Sequence, residues 1–282
     1  MDKAHGMLMV MGVTGSGKST FVNLLKQNSV KVAHGLESGS APAQAVQINL
    51  DKTRRRQTKL ESITVIDTPG FDDSKLPDSD IFQQIARCLA VQYELQIPLK
   101  GFIYLHQISE PRMRGTDKRY LSAFQQLCAG SQTLENVIFL TTKWDCVSRE
   151  DGLRREQELI NDYWAPFLEK GAQVMRFNHR SPAEANAIVR QLISGGHDLV
   201  LDIQRELMDQ EKCASETSTG TWYEKQFGSA MDDDIGPRAR RDTSTERKKF
   251  KHRLHGSAAG ISILVALLKL VLTVISFAAF AA

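Results

Sequence analysis

Short apolar runs alternate with longer amphipathic stretches through the first two hundred residues of this 282-residue chain. The apolar runs are four to six residues long and rich in Val, Ile, Leu, Met and Phe, which is typical of strands buried on both faces of a sheet. We predict six strands, at residues 8–11, 45–50, 63–66, 102–105, 137–140 and 174–177. The intervening stretches predict helices at residues 18–27, 79–95, 117–127, 153–169, 182–193 and 198–212. This alternation indicates an α/β fold with a mostly parallel sheet.

One connection departs from the alternation. The segment between the second and third runs contains Arg54, Arg55 and Arg56 and is too short for a crossover helix. Parallel strands need a crossover connection, whereas antiparallel strands do not. We therefore predict that these two strands form a hairpin and that the six-stranded sheet is mixed.

Composition and charge restrict the function classes. Hydrophobic residues are 41% and charged residues 24% of the chain, which excludes a wholly disordered or fibrous protein. The net charge of +3 is local, because residues 238–253 hold eight Lys and Arg against two acids. We therefore predict no specific nucleic-acid partner. The four cysteines include no CxxC pair, so reduced thiols are expected.

A glycine-rich motif follows the first apolar run and opens the first predicted helix. It fits the pattern G-x-x-x-x-G-K-[ST] without a mismatch. Backbone N–H groups of such a loop surround phosphate oxygens, the lysine reaches the β- and γ-phosphates, and the following hydroxyl ligates Mg²⁺. The predicted phosphate-binding residues are Gly12, Val13, Thr14, Gly15, Ser16, Gly17, Lys18, Ser19 and Thr20.

An acidic residue ends the third apolar run, in the sequence ITVIDTPG. At the end of a strand, and after a P-loop, Asp67 is well placed to hold Mg²⁺ through water. Gly70 follows three residues later and can offer its N–H to a γ-phosphate. We predict both residues to be part of the site.

The sequence TTKWD follows the fifth apolar run. The carboxylate of Asp145 can accept hydrogen bonds from N1–H and the N2 amino group of guanine, a pair of donors that adenine lacks. Lys143 is expected to lay its aliphatic stem along the base and to steady the P-loop. Thr142, which precedes Lys143, is also predicted to contact the nucleotide. These residues predict a preference for GTP over ATP.

The ordered set GVTGSGKST, DTPGF and TTKWD resembles the P-loop GTPases of the TRAFAC class, in the septin and immunity-associated (GIMAP-like) branch. The segments FIYLH, ISEPRM and QREL are similar to the fungal G-domain proteins of that branch, and the resemblance covers roughly residues 5 to 220. It implies a mixed six-stranded G domain with flanking helices that binds GTP or GDP and Mg²⁺. It also implies a homodimer or oligomer formed through the nucleotide face.

Several positions differ from the family pattern or correspond to it less closely. Thr142 stands where many GTPases have Asn, so one polar contact with the nucleotide pocket is expected to be lost. The family's switch I threonine, a Mg²⁺ ligand, corresponds best to Ser40. Asn178 or His179, in the region of the fifth motif, is expected to stack on or bond to guanine, although a polar loop without that role fits equally well. Phe71 stands where many GTPases have a water-positioning Gln, and a phenyl ring cannot orient water. Hydrolysis is therefore expected to be slow.

No catalytic residue is assigned from the sequence. Arg112, Arg114 and His106 are the candidates for a group that stabilises the transition state, in the same chain or across a dimer. Each is also consistent with a surface charge or a packed histidine.

The C-terminal part of the chain is predicted to attach it to a membrane. Residues 261–279 have Lys269 as their only charge and are long enough to span the hydrocarbon as a helix. An in-plane amphipathic anchor is the alternative, although such helices usually have several charges. The preceding basic residues 247–253 favour a cytosolic side for the G domain. No N-terminal signal peptide is recognised.

We therefore predict a G domain at residues 1–212, a flexible linker with a polybasic end at residues 213–255 and a membrane anchor at residues 256–282. The predicted function is a tail-anchored GTPase switch with a low intrinsic rate. Three alternatives remain open: a GTP- or GDP-binding scaffold without hydrolysis, a self-assembling septin-like structural protein, and a P-loop ATPase. Asp145 argues against the ATPase.

Overall fold

The structure is a computed structural model. It describes residues 5–27, 44–50, 60–70, 77–177, 181–194 and 197–251, with side chains described as far as residue 245. All statements about the structure refer to these ranges.

A six-stranded sheet forms the centre of the molecule, in the order β2-β3-β1-β4-β5-β6. Its strands are β1 (His5–Gly12), β2 (Gln44–Asn49), β3 (Ser62–Asp67), β4 (Leu99–Gln107), β5 (Val137–Thr142) and β6 (Gln173–Arg176). Only β2 is antiparallel to its neighbour, pairing with β3. The six predicted strands and the mixed sheet are confirmed.

The helices cover both faces of the sheet. They are α1 (Lys18–Leu25), α2 (Asp78–Glu94), α3 (Gly115–Leu127), α4 (Arg149–Glu158), α5 (Ala165–Leu168), α6 (Pro182–Ser194), α7 (Asp202–Gln204), α8 (Ser218–Phe227) and α9 (Ile235–Lys251). Two π-helical turns, Leu159–Tyr163 and Arg205–Asp209, follow α4 and α7. The single helix predicted at residues 153–169 is therefore divided, and it begins earlier because Ser148 caps α4 by accepting from the Asp151 N–H at 3.1 Å.

The two faces of the sheet have separate cores. One face packs against α1 and α6, and its buried side chains include Val10, Phe21 and Leu105. The other packs against α2, α3 and the segment around Trp164, and it includes Tyr104. Because side chains alternate along a strand, neighbouring residues of β4 belong to opposite faces.

The flexible linker predicted over residues 213–255 is contradicted as far as residue 251. Helix α8 is capped by Thr217, which accepts from the Gly220 N–H, and it is followed by Gly228 in the left-handed region at φ 72°. Helix α9 packs against α2. The body therefore extends past residue 212.

Aromatic and polar contacts attach this C-terminal helix pair, α8 and α9, to α2. The ring of Phe82 contacts those of Trp222 and Tyr223, at centroid distances of 5.4 and 5.7 Å. The Tyr223 hydroxyl accepts from Gln83 Nε2 at 3.0 Å. Arg87, 7% exposed, forms an ion pair with Asp242 at 3.0 Å. The C-terminal helix pair thus buries α2 from the side opposite to the sheet.

We expect removal of the C-terminal helix pair to destabilise the whole body. A chain ending at residue 212 removes the rings that pack against Phe82 of α2 and loses buried Tyr223 and Ile235. Burial of one such side chain contributes about 1.5–3 kcal/mol. Compared with a chain ending at residue 251, we expect the Tm to fall by about 10–20 °C in thermal unfolding. Equal Tm values would contradict the packing described here.

Within the described ranges, no helix is long and apolar enough to span a bilayer. The apolar stretch at residues 261–279, on which the predicted anchor depends, lies outside those ranges.

Candidate nucleotide-binding site

The glycine-rich loop connects β1 to α1 and depends on backbone conformations that glycine adopts easily. Gly12 has φ 137°, and a Cβ atom there would lie 2.3 Å from the carbonyl oxygen of Leu105. Gly17, at the N-cap of α1, has φ 101°. L-residues rarely adopt such angles, so other residues at either position would distort the loop. The loop ends at the N-terminus of α1, which favours anions.

Lys18 folds back into this loop. Its ammonium donates to the carbonyl oxygens of Gly12 and Val13 at 2.9 and 3.0 Å, and the residue is 6% exposed. The positive charge is therefore held within the loop, at the N-terminus of the helix, where a phosphate is favoured.

Two side chains with oxygen atoms that can bind a metal ion, Ser19 and Asp67, lie side by side next to the loop. Ser19 Oγ donates to Asp67 Oδ2 at 2.8 Å. Asp67 Oδ1 is buried and has no hydrogen-bond partner among the described residues. Burial raises the pKa of the Asp67 carboxyl, while the Lys18 charge and the Ser19 hydrogen bond lower it.

This donor set fits a magnesium ion. Mg²⁺ prefers oxygen ligands and is usually bound by one or two side chains together with water and substrate phosphates. Ser19 would hold the ion directly and Asp67 through water. When bound, the ion would neutralise charge on the β- and γ-phosphates.

Gly70 lies against the P-loop. A Cβ atom at Gly70 would be 2.4 Å from Thr14 Oγ1 and 2.7 Å from Thr14 Cα. The segment after β3 therefore approaches the phosphate-binding loop as closely as only glycine permits. This closeness is consistent with the predicted N–H contact to a γ-phosphate.

Thr142 has a hydrogen-bond partner in the P-loop. Its hydroxyl donates to the carbonyl oxygen of Ser16 at 2.8 Å. Thr142 is fully buried, so it supports the P-loop backbone and presents no surface to a ligand. The predicted loss of one polar contact with the nucleotide stays a prediction.

The base-recognition residues lie beside the same loop. Lys143 has φ 59°, and its ammonium donates to Gln107 Oε1 at 2.5 Å. A Cβ atom at Gly15 would be 4.0 Å from Lys143 Nζ, so the lysine lies next to the P-loop as predicted. Asp145 is exposed on the 3₁₀ turn Trp144–Cys146, beside the loop.

Several predicted residues lie outside the described ranges. They are the proposed Mg²⁺ ligand Ser40, the proposed base-binding residues Asn178 and His179, and Phe71. Phe177, just before Asn178, packs edge-on against Phe21 of α1 at 5.2 Å. The roles of the residues outside these ranges stay predictions.

The three candidates for a catalytic group do not line the P-loop. His106 and Arg112 line a separate cavity of about 290 Å³ beside α3 and the Leu159–Tyr163 turn. His106 is 6% exposed and packs edge-on against Trp164 on the face opposite to α1. Arg114 is bonded to Asp117 at the start of α3. Within one chain, the structure assigns none of them to the phosphates.

His106 makes the stability of the protein sensitive to acid. Burial lowers the pKa of His106 to about 4, from 6.5, with a smaller opposing effect of Asp117. The unfolded chain therefore binds the proton first as the pH falls, so this contribution to stability is complete above pH 6.5 and decreases toward pH 4. The loss approaches about 1.4 kcal/mol per pH unit in that window.

We expect His106→Asn to flatten the dependence of unfolding free energy on pH between about 6.5 and 4. Denaturant unfolding at several pH values measures it, with His197→Asn as the control at an exposed histidine. A variant with the same pH dependence as the wild type would show that His106 is not responsible.

Some residues beside the site were missed in the sequence. Gln107 pairs in register with Thr142 and contacts Lys143, so strand pairing could have identified it. Glu156 and Arg176 lie behind the TTKWD segment and are bonded to each other. No local motif indicates the contact between Glu156 and Arg176.

The fold and the arrangement of the loop, Asp67 and the TTKWD segment define a P-loop GTPase. The sequence profile of the AIG1 family matches residues 7–214. The chain belongs to the AIG1 family. The resemblance to septin and immunity-associated GTPases is thereby confirmed.

Individual relatives cover smaller parts of the chain. T-cell-specific guanine nucleotide triphosphate-binding protein 2 of Mus musculus is 40% identical over 145 residues, which are 51% of this chain and 29% of that protein. Cell division control protein 12 of Saccharomyces cerevisiae is 36% identical over 69 residues, 24% of this chain and 17% of that protein. The chain thus spans less than a third of these relatives.

Among solved structures, Toc33 from Arabidopsis thaliana in complex with GDP and Mg²⁺ is similar, with a TM-score of 0.52 and 15% identity. The match covers 70% of this chain and 87% of that chain. At this identity the likeness shows the shared fold alone.

Proposed function

We propose that this protein is a guanine-nucleotide switch that binds GTP with Mg²⁺ and hydrolyses it slowly. The observation that supports the proposal is that residues from separate motifs meet at the P-loop. Lys18 is bonded inside it, Gly70 lies against it, and Thr142 holds the Ser16 carbonyl. Asp67 and Ser19 offer oxygen atoms beside it.

The proposed mechanism follows from what these residues can do. The loop N–H groups and Lys18 bind the phosphates, and Asp145 accepts hydrogen bonds from guanine. A γ-phosphate would bond the Gly70 N–H and thereby order the segment that leads into α2, and its loss would release that segment. Phe71 offers no group to orient water, so slow turnover is expected.

The test uses the intact protein in detergent micelles. Fluorescent GTP is titrated with and without Mg²⁺ and competed with ATP, and phosphate release is then followed over hours. We expect GTP to be preferred over ATP, and turnover on the order of 10⁻⁴ to 10⁻² per second. Binding without phosphate release would favour the nucleotide-binding scaffold. Absence of a guanine preference would contradict the proposal.

We further propose that the C-terminal segment attaches the protein to a membrane with the G domain in the cytosol. The support is sequence: the apolar residues 261–279 and the basic residues 247–253 before them. The intact chain should remain with liposomes after alkaline carbonate extraction, and a chain ending at residue 251 should not. If carbonate removed both chains from the liposomes, an in-plane anchor would be favoured over a membrane-spanning helix.

Self-association through the nucleotide face is the last part of the proposal. One Toc33 structure is of an arginine variant described as dimerization deficient, a statement about that protein. In the present chain, Arg112 is exposed, without a partner among the described residues, and lies on a loop after β4. Sedimentation velocity with a non-hydrolysable GTP analogue should show a dimer that Arg112→Ala weakens. A monomer under both conditions would contradict it.

A further inference from the structure

The residue predicted to recognise guanine lies on a very short element. Asp145 is exposed on the one-turn 3₁₀ helix Trp144–Cys146, which has no side-chain cap. The turn begins after Lys143, whose φ of 59° is uncommon for a residue with a side chain. Such a turn does not hold a carboxylate in place by itself. The side chains that pack behind the turn therefore contribute to its position.

Trp144 attaches this turn to the body. Its indole Nε1 donates to Thr141 Oγ1 at 3.0 Å. Helix α4 approaches the ring so closely that a Cβ atom at Gly152 would lie 2.7 Å from the indole Cζ3. The guanidinium of Arg176, on β6, lies over the ring at 4.4 Å from its centroid. The indole is thus held by contacts from β5, α4 and β6.

Glu156 connects the same elements a second time. Its carboxylate accepts from Arg176 Nε at 3.1 and 3.0 Å, with a further bond from Nη2. It also accepts from Thr141 Oγ1 at 3.1 Å. Glu156 is only 7% exposed, and a buried carboxylate is tolerated when it is paired and hydrogen-bonded.

Together the four side chains form a closed ring of contacts: Trp144 to Thr141, Thr141 to Glu156, Glu156 to Arg176, and Arg176 back to Trp144. The planar guanidinium serves both contacts, since it forks onto the carboxylate and stacks on the indole. No hydrogen bond joins Trp144, Glu156 or Arg176 to the P-loop within the described ranges. The ring therefore supports the base-recognition turn and leaves the phosphate loop to other residues.

We propose that Glu156 and Arg176 are positioning residues for guanine specificity, acting through Trp144 to hold Asp145. The inference rests on the proposed role of Asp145 in guanine binding. It requires that loss of the ring lowers affinity for guanine more than affinity for the phosphates. A merely structural role would lower the affinity for every nucleotide equally.

The test compares GTP, inosine triphosphate and ATP on the intact protein. Inosine triphosphate lacks the N2 amino group of guanine but has the same phosphates, so the ratio of the two affinities measures the Asp145 contact. In Arg176→Met we expect GTP affinity to fall about tenfold and ATP affinity to stay within about twofold. The preference for GTP over inosine triphosphate should decrease accordingly.

Two milder variants keep the test decisive if Arg176→Met fails to fold. Arg176→Lys retains the charge and loses the planar fork, and Trp144→Phe retains an aromatic ring and loses the Nε1 donor. Both are expected to reduce the GTP preference. The matched control is Arg154→Met, since Arg154 is an exposed arginine of α4 that pairs with Asp151 and Glu158 outside the ring.

Unchanged nucleotide preference in folded variants would overturn the inference, and so would an equal fall for all three nucleotides. Failure of the proposed function gives a different result. In that case the wild type itself shows no preference for GTP. Without that preference, the inference falls too.

Discussion

Lys18→Ala is expected to lower GTP affinity by at least about a hundredfold, one of the two largest effects of any substitution considered. The ammonium is buried and donates to the carbonyl oxygens of Gly12 and Val13. Removal takes away the positive charge that would contact the β- and γ-phosphates, together with two bonds that shape the loop. Hydrogen bonds to charged groups contribute about 1.5–3 kcal/mol each. Titration of fluorescent GTP with Mg²⁺ measures the change.

Lys26→Ala is the matched control for this experiment. Lys26 follows the same helix, and its ammonium bonds the Gln47 carbonyl on the surface at 3.2 Å. We expect this variant to bind GTP as the wild type does. Circular dichroism of both variants separates loss of binding from loss of folding. If folded Lys18→Ala bound GTP with wild-type affinity, the assignment of the P-loop would be wrong.

The sheet and the phosphate loop could be predicted because their signals are local. Each strand is a short apolar run. The loop is a contiguous motif, and its glycines allow backbone angles that other residues rarely adopt. The hairpin of β2 and β3 followed from connection length alone, and the register from Gln44 to Asn49 confirms it. Lys143 beside Gly15 was also anticipated, because both belong to motifs that meet at the same end of the sheet.

The C-terminal helix pair could not be predicted from composition. Its sequence is mostly polar. Its buried face consists of a few side chains such as Tyr223, Ile235 and Ala239. A cap signal was present, since Thr217 and Gly228 bracket α8. Its partner is α2, more than one hundred residues earlier, and no local pattern indicates such a contact.

The residues that hold the site in place were also missed, because their contacts join parts of the chain that are far apart in sequence. Thr142 was taken as a weakened motif position because the sequence shows only that Asn is absent. Its bond to the Ser16 carbonyl joins residues 126 positions apart. Glu156 and Arg176 looked like ordinary surface charges of a helix and a strand. Their role appears only when β5, α4 and β6 are placed together.

Asp145→Asn is expected to reverse the base preference from GTP to xanthosine triphosphate. A carboxylate accepts from both the N1–H and the N2 amino group of guanine. A carboxamide has one acceptor and one donor, which match the N1–H and the C2 oxygen of xanthine. Because a buried or bound polar group left unpaired costs about 1–3 kcal/mol, we expect GTP affinity to fall about a hundredfold. Xanthosine triphosphate affinity should rise by a similar factor.

The reciprocal gain distinguishes base recognition from general damage to the site. A substitution that only disturbed the Trp144–Cys146 turn would weaken both nucleotides and strengthen neither. Asp162→Asn, at an exposed acid of the following π-helical turn, is the control and should leave both affinities unchanged. Competition titrations of fluorescent GTP with the two nucleotides measure the ratio. If folded Asp145→Asn kept the wild-type affinity and preference for GTP, guanine would be recognised by another group, and the region after Phe177 would be the place to search for it.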